Sequence, residues 1–166
     1  MTESDKKLIL DLSLEKINID DFFQDYSNQV DSNHVLQLIN EAYSKKDYSE
    51  LEYSLLLGFK FETFSNDYGN VLNKLIQEDW HFKHEDLALI LQDLKLPESV
   101  DPLYVAALKR LDYLNYDDSF ALARKCIHAL GDIGTEAALE KLKQLSNTNI
   151  PIIKEKVEMQ LNYYRK

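Results

Sequence analysis

From Phe120 onward the apolar residues recur at steps of three and four. This pattern restricts the fold more than any other feature of the chain. Phe120, Ala123, Ile127 and Leu130 make one stripe. Gly131 and Gly134 follow, and Thr135 opens a second stripe through Ala138, Leu142 and Leu145. Ile150, Ile153, Val157, Leu161 and Tyr164 make a third. Each stripe is one face of an amphipathic helix, which must bury against a neighbour. The spacing predicts helix, glycine stop, helix, loop, helix over 116–164.

The same period runs earlier in the chain. Ser32 is the expected cap of a helix carrying Val35, Leu38, Ile39 and Ala42 inward and ending at Lys45 and Lys46, where cations suit the negative helix end. Ser49 and Glu52 fit a capping box for a helix over 51–59, centred on Leu55, Leu56 and Leu57. Ser65 or Asn66 opens a helix over 67–79 with Tyr68, Val71, Leu72, Leu75 and Ile76 inward. Lys83 or His84 opens another to Leu94. Asp101 followed by Pro102 reads as a cap with proline at the first helical position, for a helix to Leu111. Ahead of these, 2–14 fits a helix or a strand, and 20–26 a short helix anchored by Phe22 and Phe23. Starts at Ser65, Asp101 and Thr135 lie 36 and 34 residues apart. Two helices fall in each interval, and such a period marks a helical solenoid. The 166 residues suit a single domain of N-terminal helices (1–64) and repeats (65–166).

Charge narrows the function. Residues 1–60 carry 6 basic and 12 acidic side chains, 61–120 carry 5 and 12, and 121–166 carry 8 and 5, for a total of −10. Such a surface repels phosphate backbones and argues against nucleic acid as a partner. It attracts a basic protein and speeds its capture; simple solubilisation is the plainer reading of the same charges. The single cysteine, Cys126, sits among apolar residues in mid-helix, as a reduced structural thiol would. The first residues lack the pattern of a secretory leader. No apolar run nears the ~20 residues of a membrane span. The expectation is a cytoplasmic protein with no membrane partner.

Two polar constellations stand out. In the first, residues 78–86, His81, His84 and Glu85 could be read as metal ligands. Their spacing straddles a helix junction, however, and no third cluster completes a set, so neither metal nor cofactor is expected. Glu85 and Asp86 suit the first turn of a helix. Glu78 and Asp79 sit at the wrong end of the preceding one, a misfit that points to a role other than stability. The second constellation is residues 112–118. Stacked beside the first, it would make an acidic, aromatic ridge. The candidate partner-binding residues are Asp79, Trp80, His84, Glu85, Asp86, Asp112, Tyr113, Tyr116, Asp117 and Asp118, with Trp80 and the two tyrosines as anchors. The competing reading makes the tyrosines packing residues and the aspartates helix caps. A glycosidase-like carboxylate pair lacks a pocket, and Asp117 and Asp118, being adjacent, point apart on a helix. With no Ser-His-Asp context, glycine-rich phosphate loop or Cys-x-x-Cys, the chain is expected to have no catalytic residues and not to be an enzyme.

The run Ala129-Leu130-Gly131-Asp132-Ile133-Gly134, then Glu136-Ala137-Ala138, resembles the junction from the second helix of one HEAT repeat to the next, especially in the short bacterial kind. That family usually has an arginine near the place of Ala123; here Arg124 stands one position away. The Trp…Leu-Gly…Tyr pattern of tetratricopeptide repeats is missing. With segments 79–86 and 111–117, the chain resembles small bacterial HEAT-repeat immunity proteins encoded beside polymorphic or contact-dependent toxins. The resemblance implies an all-α, HEAT-like solenoid of stacked antiparallel helix pairs. It implies binding to a cognate toxin domain in the cytosol and inhibition by occlusion, without identifying the toxin. The acidic ridge itself would suit a basic, substrate-binding cleft on a nuclease-like toxin, and the free protein is expected to be a monomer. A generic HEAT scaffold is the main alternative. A HEAT-like lyase or chaperone for a cofactor-bearing protein is another. A HEAT-like DNA glycosylase would need a basic groove, which the charge opposes.

Overall fold

The computed structural model describes residues 1–114 and 119–163, and those residues form helices and turns with no strand among them. Two compact units divide the chain, residues 1–71 and 72–166.

The first unit holds α1 (Glu3–Ser13), α2 (Ile19–Asp25), α3 (Ser32–Lys45) and α4 (Tyr48–Lys60). Residues 2–14, ambiguous by pattern, are helical for a local reason. Thr2 accepts from the Asp5 amide while Asp5 reaches back to the Thr2 amide, a complete capping box. α3 is capped by Asp31 and α4 by Asp47, not by the serines expected from pattern. The Asp47 carboxylate takes both the Ser49 and Glu50 amides at 3.0 Å, two orphan donors that a hydroxyl at position 49 would leave unmet. α4 packs on both α3 and α1. Ile9, Leu12, Val35, Ile39, Leu51, Leu55 and Leu57 supply the buried aliphatic layer. Phe22 is fully buried and stacks on Tyr26 at 4.7 Å, whereas Phe23 remains 42% exposed.

A 3-10 turn, Asn66–Tyr68, leads into α5 (Gly69–Leu75), which is shorter than the helix expected to reach 79. The second unit continues with α6 (His84–Leu94), α7 (Val100–Leu108), α8 (Ala121–Ile133), α9 (Glu136–Leu145) and α10 (Pro151–Tyr163). α7 starts one residue before Asp101, behind a 3-10 turn at Pro97–Ser99, so Asp101 lies in the first turn and is not the cap. It ends at Leu108, which is 51% exposed, although Leu111 beyond it is buried. Thr135 caps α9 through the Ala138 amide, as its position suggests. Gly134 takes the left-handed conformation (φ 64°) that ends α8. Gly131, by contrast, lies inside α8 and is no stop. α8 is central to its unit, touching α6, α7, α9 and α10, while α7 meets α9 and α9 meets α10. Cys126 is fully buried on α8, and burial pushes its thiol up out of the reactive range. Among the described residues, no helix is long and apolar enough to cross a membrane.

Candidate partner-binding site

Residues 76–84 carry the chain from the end of α5 into α6, and Tyr113 comes to them from the 3-10 turn Asp112–Leu114. Two imidazoles lie at the centre. His81 and His84 are 1% and 0% exposed, with ring centroids 4.4 Å apart. Buried imidazoles need partners for both nitrogens. His81 Nε2 lies 2.9 Å from the Leu75 carbonyl, and His84 Nε2 lies 2.7 Å from the Glu78 carbonyl. A carbonyl only accepts, so each Nε2 carries the proton and each Nδ1 is the acceptor. The Lys83 amide donates to His81 Nδ1 at 3.2 Å, and the Tyr113 hydroxyl donates to His84 Nδ1 at 2.8 Å. All four ring nitrogens are engaged in protein hydrogen bonds, so neither pair of Nδ1 electrons is turned toward a cation. Burial and the neighbouring His81 hold the His84 imidazolium well below its usual range, to about 4, and burial lowers His81 as well.

Lys109 completes the arrangement from beyond α7. Its Nζ donates to the carbonyls of Gln77 and Glu78 and meets the Asp79 carboxylate, which it holds below the ordinary aspartate range. The charge of Asp79 at the negative end of α5, a misfit by sequence, is thus offset by a cation from 30 residues downstream.

The rings form a continuous run. Trp80 meets His81 edge-on at 4.9 Å, His81 meets His84, His84 meets Tyr113 at 5.8 Å, and Tyr113 meets Phe82 edge-on at 5.1 Å. Phe82, at the end of this run, is 61% exposed. Trp80 is half-buried, with its Nε1 shielded from solvent.

The structure brings together Asp79, Trp80, His84, Glu85 and Asp86 with Tyr113, and changes the meaning of several. His84 is inside, so it bears on the surface only through Tyr113. Glu85 pairs with Lys125 at 2.9 Å, Asp86 with Lys83 at 3.9 Å, and Asp79 with Lys109. Three carboxylates of the expected acidic ridge are therefore matched by lysines, while Asp112 is exposed. Tyr116, Asp117 and Asp118 lie outside the described residues. Phe82 and Lys109 were not among the candidates. Phe82 lies in the connection before α6, where no helical phase applies, and its signal was its place inside the 78–86 constellation; nothing local marks Lys109.

A cavity of about 100 Å³ lies near the start of α8, among Leu108, Leu111, Phe120, Leu122 and Ile153. Arg110 covers the Phe120 ring at 4.8 Å. This volume is below that of ordinary small-molecule sites. No protein-family model, no curated protein and no solved structure matches the chain.

Proposed function

We propose that this chain is a protein-binding module that neutralises a cognate toxin domain by covering its active site, without catalysis of its own and as a cytoplasmic monomer. The observation that carries the reading is Phe82. An aromatic side chain stands 61% exposed on the Tyr113 ring, and Tyr113 is itself tied to a buried, fully hydrogen-bonded imidazole. An aromatic held this way loses little conformational freedom on binding, which is the property of interface hot spots. The net charge of −10 favours a basic partner.

The packing of the second unit supports a HEAT-like solenoid as the frame. α6, α8 and α10 follow one another in contact, and α7 touches α9. Alternate helices thus meet in two runs, as stacked helix pairs would. The Ala129–Ala138 junction supplies the small residues and the left-handed glycine that such stacking needs.

The test begins with the tagged full chain as bait in a lysate of its source organism. Each captured protein is then expressed alone and together with the bait. A partner lethal alone and harmless when co-expressed supports the reading. Phe82→Ala should then weaken binding roughly 10- to 100-fold at an unchanged melting temperature. A captured partner that is harmless alone removes the immunity role and leaves the scaffold reading. Undiminished affinity in the Phe82 variant removes Phe82 as the anchor.

A further inference from the structure

Acidity is not spread evenly over the two units. Residues 1–71 hold 14 acidic and 6 basic side chains, and residues 72–166 hold 15 and 13, net −8 and −2. In the second unit lysines sit on Asp79, Glu85, Asp86 and Asp101. The first unit is different at the corner where α1 turns into α2. Glu15 adopts a left-handed conformation (φ 57°) that reverses the chain after α1, and Asn18 caps α2. α2 is fixed from beneath: Phe22 is fully buried and stacks on Tyr26, and it also meets Phe61 at 5.9 Å. That leaves one edge of α2 outside, with Ile19 and Phe23 one turn apart at 48% and 42% exposure. Leu14, at the end of α1, is 55% exposed. An open hollow of about 680 Å³ lies between the helices, bordered by Leu12, Ile17 and Ile19.

The carboxylates at this corner are unlike those near Phe82. Among the described residues, Glu15, Asp20 and Asp25 have no cation at ion-pair distance. Lys16 borders the hollow but is engaged by Asp11 at 3.3 Å, and Lys60 is the other cation on its rim. Exposed aliphatic and aromatic side chains with uncompensated carboxylates beside them are the complement of a segment with apolar residues on one face and lysines or arginines around it.

We propose that this corner of the first unit, Leu14, Ile19 and Phe23 with the carboxylates of Glu15 and Asp20 beside them, is a docking surface for a basic amphipathic segment of a protein partner. Two other occupants are opposed by charge. Nucleic acid would bring phosphates to a unit of net −8, and a second copy would bring another −8. The inference rests on the reading of the chain as a binder of a basic protein, but it puts the long-range attraction in the first unit.

The test uses the full chain and a fluorescent synthetic peptide of leucine and lysine at helical spacing, with a scrambled peptide of the same composition as control. Binding is followed by anisotropy, and the site by amide shifts of the labelled protein. Shifts within residues 10–25, an affinity that falls with salt, and a loss of roughly 10-fold in Leu14→Ser with Ile19→Ser are expected. Glu15→Gln with Asp20→Asn should flatten the salt dependence. Equal binding of the scrambled peptide at the same residues would reduce the corner to charge alone and overturn the proposal. Shifts at 78–86 and Tyr113 instead would also overturn it, while favouring Phe82 as the point of attachment. No shift anywhere overturns it too. Toxicity of a captured partner is a separate readout, so the docking surface and the immunity role can fail independently.

Discussion

His81 and His84 occupy core positions that a helical protein of this size ordinarily fills with aliphatic side chains, and their effect should be visible in acid. An unfolded histidine titrates near 6.5, and folded His84 near 4. Between those values the unfolded chain binds a proton that the folded chain refuses. Stability is therefore full above about pH 6.5 and falls as pH drops toward 4, by about 3 kcal/mol for His84, with His81 adding in the same direction. Urea unfolding between about pH 7.5 and about pH 4.5 measures this; a flat profile would mean the imidazoles are not buried neutral. Glu50 is a second acid-sensitive group. Lys45 and the first amino group hold its carboxyl below the ordinary range, so its contribution is lost only at lower pH. The sequence showed the two histidines and their spacing. It could not show their partners, because the Tyr113 hydroxyl is 29 residues from His84 and the other partners are main-chain groups. Asp47 was missed for a local reason: three capping side chains fall within six residues, and only geometry chooses among them.

Helix interiors were legible because period 3.6 survives any tertiary detail; helix ends were not, because side chains from elsewhere decide them. α5 stops at Leu75 where pattern allowed it to reach 79, and imidazoles and an ammonium serve the carbonyls of Leu75, Gln77 and Glu78. Replacing Lys109 by Met keeps the stem and removes the donor. Carbonyls lose a partner and Asp79 its cation, at a cost of about 1–2 kcal/mol. Asp79 is exposed, so most of that loss belongs to the carbonyls. Chemical denaturation of the Met variant checks it, and no change would show that water serves those carbonyls equally well. Close approach sets a second limit on α4. A Cβ at Gly58 would lie 2.4 Å from the Phe64 ring, which meets Phe59 and Tyr68 edge-on. Gly58→Ala gains helix propensity of about 1 kcal/mol but must displace a packed ring, an overpacking cost of about 1–3 kcal/mol. The melting temperature should fall despite the better helix former; a rise would mean the ring swings aside freely. Gly131 is similarly close to Gln160, but there the obstacle is a flexible side chain bonded to His128.

At the scale of the whole chain, the all-helical class followed from periodicity alone, whereas the distribution of charge became meaningful only once the compact units were known. Cut by thirds, the net negative charge falls almost evenly on residues 1–60 (−6) and 61–120 (−7), and the ridge around 78–86 looks like its focus. Cut at Val71, it belongs mostly to the first unit. This division makes salt act in opposite directions on the two units. In residues 1–71 like charges outnumber their partners, and screening relieves self-repulsion. In residues 72–166 the charges are near balance and several are paired, so screening only weakens pairs such as Glu85–Lys125 and Asp101–Lys141. Raising salt from low to physiological strength should slow amide exchange at the most protected sites of the first unit, by on the order of 0.5 kcal/mol, the size of one exposed charge pair. Protection in the second unit should hold or decline slightly. Exchange measured residue by residue at both salts separates the two. A uniform gain across both units would mean that repulsion is shared by the whole chain, and the first unit would then lose its distinction as the face that draws a basic partner.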